Sequence, residues 1–153
     1  MKNLKIKLGV FIISMALTLS ASANSNIIKI AHSEYAFSYD PVYCNWSDIG
    51  RICAIAYDAL LKFEPTNKVL VPHLAKSYKK LDGGSKYRFI LNKNVAFHDG
   101  NKLTAQDVKY TFERVMAIKD GVANLIQDVK SINVIDDYTF DVLLKRPTAA
   151  FFV

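Results

Sequence analysis

Histidine and cysteine are scarce in this chain, three and two residues respectively, and their placement excludes whole classes of chemistry. His32, His73 and His98 lie far apart, with no i, i+4 pair and no H-E-x-x-H signature, so no helical metalloprotease site is written here. Two cysteines, Cys44 and Cys53, are a poor zinc set without a nearby histidine pair. A glycine-rich phosphate loop and a dinucleotide fingerprint are both missing, and Gly83-Gly84 reads as a hairpin turn. The chain has no internal repeat, no low-complexity tract and no long Pro/Gly/Ser linker. Its longest uncharged apolar stretch, Leu8 to Leu19, falls short of the roughly 20 residues that a bilayer span requires.

That stretch has another reading. Lys2, Lys5 and Lys7 form a basic region ahead of it, and Ala21-Ser22-Ala23 is a small-residue cleavage site. Residues 1–23 therefore read as a signal peptide, with Asn24 as the mature terminus; a permanent anchor is the competing reading. No cysteine stands at the cleavage site, so a lipid anchor is not supported. The formal charge of +6 is inflated by this segment: without its three lysines, 17 basic side chains face 14 acidic ones, a net of +3. Basic and acidic residues interleave, as at Lys79, Lys80, Asp82 and Lys86, so no nucleic-acid stripe forms. In an oxidising compartment disulfides persist, which leaves a Cys44–Cys53 bridge and two separate buried thiols both open.

Periodicity sets the expected elements. Ile27 to Ala31 reads as a short strand and His32 to Pro41 as the loop leaving it. A helix is expected over Ile49 to Leu61, capped by Ser47 or Asp48, followed by a hairpin through Val69 to Pro72. Leu74 to Leu81 is ambiguous between a helical turn and a strand. Tyr87, Phe89 and Leu91 alternate with Arg88 and Ile90 in the period of a half-buried strand. Asp99-Gly100 suits a reversal. Thr104 and Asp107 then have the spacing of a capping box, ahead of Val108, Phe112, Val115 and Met116 on one helical face. This helix, Ala105 to Ile118, has Gly121 as its expected stop. Ile132 and Val134, then Tyr138, Phe140, Val142 and Leu144, flank Asp136-Asp137 as a final hairpin. The mixture argues α+β rather than a doubly wound parallel sheet.

The segment LNKNVAFHDGNKLTAQDVKYTFERV, Leu91 to Val115, closely resembles the signature of the family-5 extracellular solute-binding proteins, the oligopeptide, dipeptide and nickel receptors of bacterial ABC importers. Upstream, Tyr57, Leu60, Leu61, Pro72, Leu74, Ala75, Ser77, Tyr78, Gly83, Tyr87, Phe89 and Leu91 match the family's pattern. Downstream, Asp136, Asp137, Thr139, Leu143 and Pro147 do the same. The resemblance covers nearly everything from Ile28 onward. It implies the N-terminal portion of a two-lobed periplasmic-binding-protein fold of type II. Residues 24–42 would hold the first strand and cleft loop of one lobe, and residues 43–153 a small α+β accessory subdomain. The apolar end Ala149 to Val153 favours a chain cut inside a larger fold, with Phe151 and Phe152 lacking a partner surface. A complete small domain that buries both against its own sheet is the alternative.

The resemblance further implies a periplasmic receptor in a Gram-negative cell. It would be a monomer that captures a peptide or similar small solute for an ABC permease in the inner membrane, needing no cofactor and no chemical step. In the family the loop after the first strand runs along the ligand cleft; here it ends in Ser38-Tyr39-Asp40-Pro41, with Tyr39 in place of the usual aliphatic residue. Glu34 is the one acid in that loop before Asp40 and would meet a peptide's amino terminus, while Tyr35 and Phe37 would add apolar walls. A different class of reading is a small secreted hydrolase using His98 as general base with Asp99 to orient it. Adjacent residues on a tight turn reach that geometry poorly, which favours a plain turn-forming pair.

Overall fold

The computed structural model describes residues 38–44, 47–148 and 151, all within one unit spanning residues 34–153. The expected strand at Ile27 to Ala31 and the leader lie outside the described residues, as do Glu34, Tyr35 and Phe37. A 3-10 turn at Pro41–Tyr43 comes first, then helix α1 at Ser47–Ala56. Strands β1 (Leu61–Glu64) and β2 (Val69–Pro72) form a hairpin. Strands β3 (Ala75–Leu81), β4 (Lys86–Leu91), β5 (Val129–Asp136) and β6 (Thr139–Leu144) form an antiparallel sheet in the order β3-β4-β6-β5. Helix α2, Ala105–Ile118, connects β4 to β5. The described residues are thus α+β.

The core follows from the alternation in β4. Tyr87, Phe89 and Leu91 are buried; across the sheet Phe89 faces Phe140 and Tyr87 faces Val142 of β6, while Leu91 pairs with Ala75 of β3. The rings of Phe89 and Phe140 stack at 5.3 Å between centroids, and Tyr78 of β3 stacks on Phe89 at 5.8 Å. Ile132 of β5 and Val108 of α2 complete the buried cluster, with Phe112 and Met116 packed against it. Each large apolar side chain buried this way stabilises by about 1.5–3 kcal/mol. The helix is docked as well as packed: the Ala105 amide donates to the Asp137 carbonyl (2.7 Å), and the Leu91 amide donates to the neighbouring Tyr138 carbonyl (2.7 Å). One hairpin turn therefore holds the end of β4 and the start of α2 together.

Three expectations need correction. Helix α1 ends at Ala56, not Leu61, because the chain then runs alongside β3: the Ala75 amide donates to the Leu60 carbonyl and the Leu74 amide to that of Ala59. Helix α2 stops at Lys119 in the left-handed region (φ 58°), its amide donating to the Val115 carbonyl, while Gly121 opens the 3-10 segment Gly121–Ile126. Phe151 does have a partner: its ring stacks on Tyr87 at 5.2 Å and packs against the buried sheet cluster. The stretch Leu74 to Leu81, ambiguous in the sequence, resolves as strand β3 from Ala75 onward.

Candidate functional site

Of residues 24–42, expected to hold the first strand and cleft loop, Ser38 to Val42 are described; with Tyr43 and Cys44 they form a turn on which long-range contacts converge. Asp40 caps the 3-10 turn, accepting from the Val42 amide through Oδ1 (3.0 Å), while its own amide donates to Ser38 Oγ (3.1 Å). From 74 residues along the chain, Arg114 of α2 approaches the same carboxylate with both terminal nitrogens. Nη1 lies 3.0 Å from Oδ1 and Nη2 bonds Oδ2, a fork-to-fork pair. The hydrogen bond from Arg114, and after it that from Val42, holds the Asp40 carboxyl below its ordinary value of 3.8. Both side chains are about a third exposed (36% and 29%), so water screens the attraction and the pair fixes geometry more than it adds stability.

Neighbouring groups hold the backbone on either side. The Tyr57 hydroxyl donates to the Tyr39 carbonyl at 3.0 Å. Val42 is 1% exposed, and its carbonyl lies so close to Gly121 that any Cβ there would collide with it. Gly121 is also left-handed (φ 58°), a conformation glycine adopts without strain. Cys44 and Cys53 are bridged, with Cα atoms 5.9 Å apart, which ties the turn to α1. A Cβ at Gly50 would sit 2.9 Å from the Cys44 carbonyl, so helix and turn are in close contact beside the bridge.

The histidine positions carry different environments. His98 is exposed on a turn in which both Asp99 oxygens accept from Asn101, from its amide at 2.9 Å and its Nδ2 at 2.8 Å. Those bonds, the amide first, hold the Asp99 carboxyl below its ordinary range. The carboxylate is engaged in closing its own turn, which is the turn-forming role. His73 Nε2 lies 2.9 Å from Asp58 Oδ1 at the surface. Among the described residues no group of three or more His, Cys, Asp or Glu side chains could hold a metal ion, and no helix is long and apolar enough to cross a membrane.

Sequence reasoning missed Arg114. It lies in the helical segment that carries the resemblance, yet nothing in its spacing points to Asp40. In the sequence, Asp40 stands only as part of a turn. A charge pair across 74 residues leaves no periodic trace; the one available signal was an arginine two positions after Phe112, off the apolar face.

Residues 69–153 match the model of the bacterial extracellular solute-binding proteins, family 5 Middle. The chain is 32% identical over 122 residues to the peptide transport periplasmic protein SapA of Salmonella typhimurium, an alignment covering 67% of this chain and 22% of that protein. Among solved structures it resembles NikZ from Campylobacter jejuni in complex with Ni(L-His), with a TM-score of 0.69 and 28% identity over 77% of this chain and 24% of that one. It also resembles the oligopeptide-binding protein AppA from Bacillus subtilis in complex with a nonapeptide, with a TM-score of 0.65 and 29% identity over 72% and 22% of the two chains. The chain thus spans about a fifth to a quarter of the length of these relatives. A family match over more than half its residues, with the α+β sheet and capped helix in place, makes this chain a member of the family-5 bacterial extracellular solute-binding proteins.

Proposed function

We propose that this chain belongs to the periplasmic substrate-binding component of an ABC importer that takes up peptides or a similar small solute. The match across residues 69–153 carries the reading. The names of the relatives support the ligand class, since SapA is named for peptide transport and AppA was solved with a nonapeptide. In this reading residues 1–23 are removed on export, residues 24–42 form the first strand and cleft loop, and residues 43–153 form an accessory subdomain. Glu34 pairs with the peptide's amino terminus, and Tyr35 and Phe37 wall the cleft. The receptor works as a monomer, closes about its ligand and presents itself to the permease. Its work is capture and delivery, with no bond made or broken.

The test uses the protein expressed from its complete reading frame, purified from the periplasm. Thermal melts are followed against di- to pentapeptides, with nickel–histidine as a separate arm. A ligand at a hundredfold excess over its dissociation constant stabilises by about 2.7 kcal/mol, which a melt resolves readily. An upward shift with peptides supports the reading. A shift with nickel–histidine alone replaces the peptide by a metal chelate, and no shift with any probe overturns the reading.

A further inference from the structure

We propose that Asp120-Gly121 is a modification site, the place where this chain converts spontaneously to an isoaspartyl linkage. Nothing in the chemistry depends on which solute the protein carries.

The sequence holds three Asp-Gly pairs, Asp82-Gly83, Asp99-Gly100 and Asp120-Gly121. Each is chemically competent, because glycine lacks the side chain that would shield its amide nitrogen from the preceding carboxyl. The fold treats them differently. Asp82 Oδ2 accepts from Lys86 Nζ at 2.8 Å. Asp99 accepts from Asn101 through both oxygens, and the Gly100 amide donates to the Phe97 carbonyl at 2.9 Å, so carboxyl and nitrogen are engaged with other groups. At Asp120 the two meet: the Gly121 amide donates to Asp120 Oδ1 at 2.7 Å. Among the described residues this is the one Asp-Gly pair whose amide and carboxylate bond each other. The reacting groups are held together beforehand, the condition under which an intramolecular step gains most. Asp120 is also exposed, so water reaches the product.

The step balances without any co-reactant. With the carboxyl protonated, the Gly121 nitrogen forms a bond to Asp120 Cγ, while the carboxyl hydroxyl and the amide hydrogen leave as water. The succinimide ring so formed then takes up one water. Opening at Cγ restores aspartate. Opening at the main-chain carbonyl leaves Gly121 joined through Cγ, an isoaspartate whose Cβ now lies in the backbone.

The backbone is thereby lengthened where it has little room. A Cβ on Gly121 would collide with the Val42 carbonyl and stand 3.2 Å from Tyr43 Cδ1, so the chain here already lies against the Pro41–Tyr43 turn. Val42 is buried. An extra methylene in the main chain at residue 120 displaces Gly121 from that contact and loosens the turn.

The experiment ages the protein from its complete reading frame at neutral pH and physiological temperature, native and in urea. Each sample is digested with the endoprotease that cuts before aspartate but not before isoaspartate. Mass spectrometry then follows the uncut junctions at Asp82, Asp99 and Asp120, together with the water-loss species of the ring. In the native protein the Asp120 junction is expected to become resistant about tenfold faster than the other two, because its reacting groups are already paired. In urea that pairing is lost and the three rates should converge. Asp120→Ser keeps a hydroxyl to cap the 3-10 segment but cannot close the ring, so conversion should vanish at residue 120 alone. Hydrogen exchange over residues 41–43 should rise in the aged wild type and not in the aged variant. Native conversion at Asp82 or Asp99 that equals or exceeds that at Asp120 overturns the proposal. So does an Asp120 junction that stays fully cleavable in the native sample. Unchanged exchange despite conversion overturns the loosening of the turn. If Asp120→Ser does not fold, the native-to-urea comparison in wild type decides alone.

Discussion

Arg88 and Asp141 face each other across β4 and β6 and close a bidentate pair on the side of the sheet opposite the aromatic core, Nε to Oδ1 at 2.7 Å and Nη2 to Oδ2 at 2.9 Å. Asp141 is 6% exposed, the one buried charged side chain among the described residues. Its position follows from the period of the strand. Neighbours Phe140 and Val142 point into the core, so residue 141 must point out, and the arginine at the matching register position covers it. The pair therefore reports whether β4 and β6 are in register, because a slip of one residue would set Arg88 against an apolar side chain.

That geometry sets a pH dependence. The hydrogen bond from Arg88 holds the Asp141 carboxyl below its ordinary value of 3.8. A carboxyl with a depressed folded-state pKa contributes stability that is fully present above its unfolded value and is lost as pH falls through the folded one. Wild type is thus expected to lose stability as pH drops below about 4, and Asp141→Asn should lose less over that interval. Urea titrations of both proteins at neutral and acid pH measure the difference. Parallel curves would remove Asp141 from the acid sensitivity and assign it to Asp40, Glu64, Asp99 and Asp136, whose carboxyls are also held low.

The stacked pair at the centre of the sheet should dominate stability. Phe140 is fully buried and packs on Phe89. Phe140→Ala removes that contact and leaves a cavity between β4, β6 and helix α2, at a cost of about 3–5 kcal/mol. Tyr110, 65% exposed on the far side of the same helix, should tolerate alanine with a change within about 0.5 kcal/mol. Denaturant midpoints for the two variants give the comparison. Equal costs would mean that the helix packs through a different face.

Helix α2 offers a local test of capping. Asp107 accepts from both the Thr104 amide (2.8 Å) and the Thr104 hydroxyl (2.6 Å) at the first turn. Asp107→Ala leaves the amide without that acceptor and should cost about 1 kcal/mol. Asp107→Glu, a residue the capping box accommodates, should recover most of it. Amide exchange at Thr104 would rise in the alanine variant alone, and no difference between the two would deny the box a role in stability.

What could be read from the residues, and what could not, divides along physical lines. Strand β4 and helix α2 carry their own periods, in Tyr87-Phe89-Leu91 and in Val108-Phe112-Val115, so local sequence and burial agree. Local pattern extends helix α1 too far, because Leu60 lies one helical turn beyond Ala56 and looks like the next residue of an apolar face. Backbone bonds to Leu74 and Ala75 win there, and tertiary pairing has no local signature. Gly121 is a reasonable stop signal that serves another purpose, the close approach of the Val42 carbonyl, while Lys119 takes the left-handed position. The Arg114–Asp40 fork was illegible for the same reason as the α1 boundary: it depends on where the fold brings residues 74 apart.

The disulfide makes the sharpest prediction about the Asp40 end of the fold. Cys44 and Cys53 are nine positions apart, and closing a loop of that length restricts the unfolded chain by about 2–3 kcal/mol. Oxidised protein should therefore lose roughly that much stability on reduction, and a Cys44→Ser, Cys53→Ser double variant should match the reduced wild type. The loss should be local in origin. The bridge joins the 3-10 turn to α1 and touches none of the residues in the buried sheet cluster, so hydrogen exchange ought to accelerate over residues 41–56 before it does in β4 or β6. Peptide mapping without reductant is the first measurement. Recovery of both cysteines as alkylated thiols from periplasmic protein would remove the bridge, and the turn would then be held by Val42, Tyr57 and Arg114 alone.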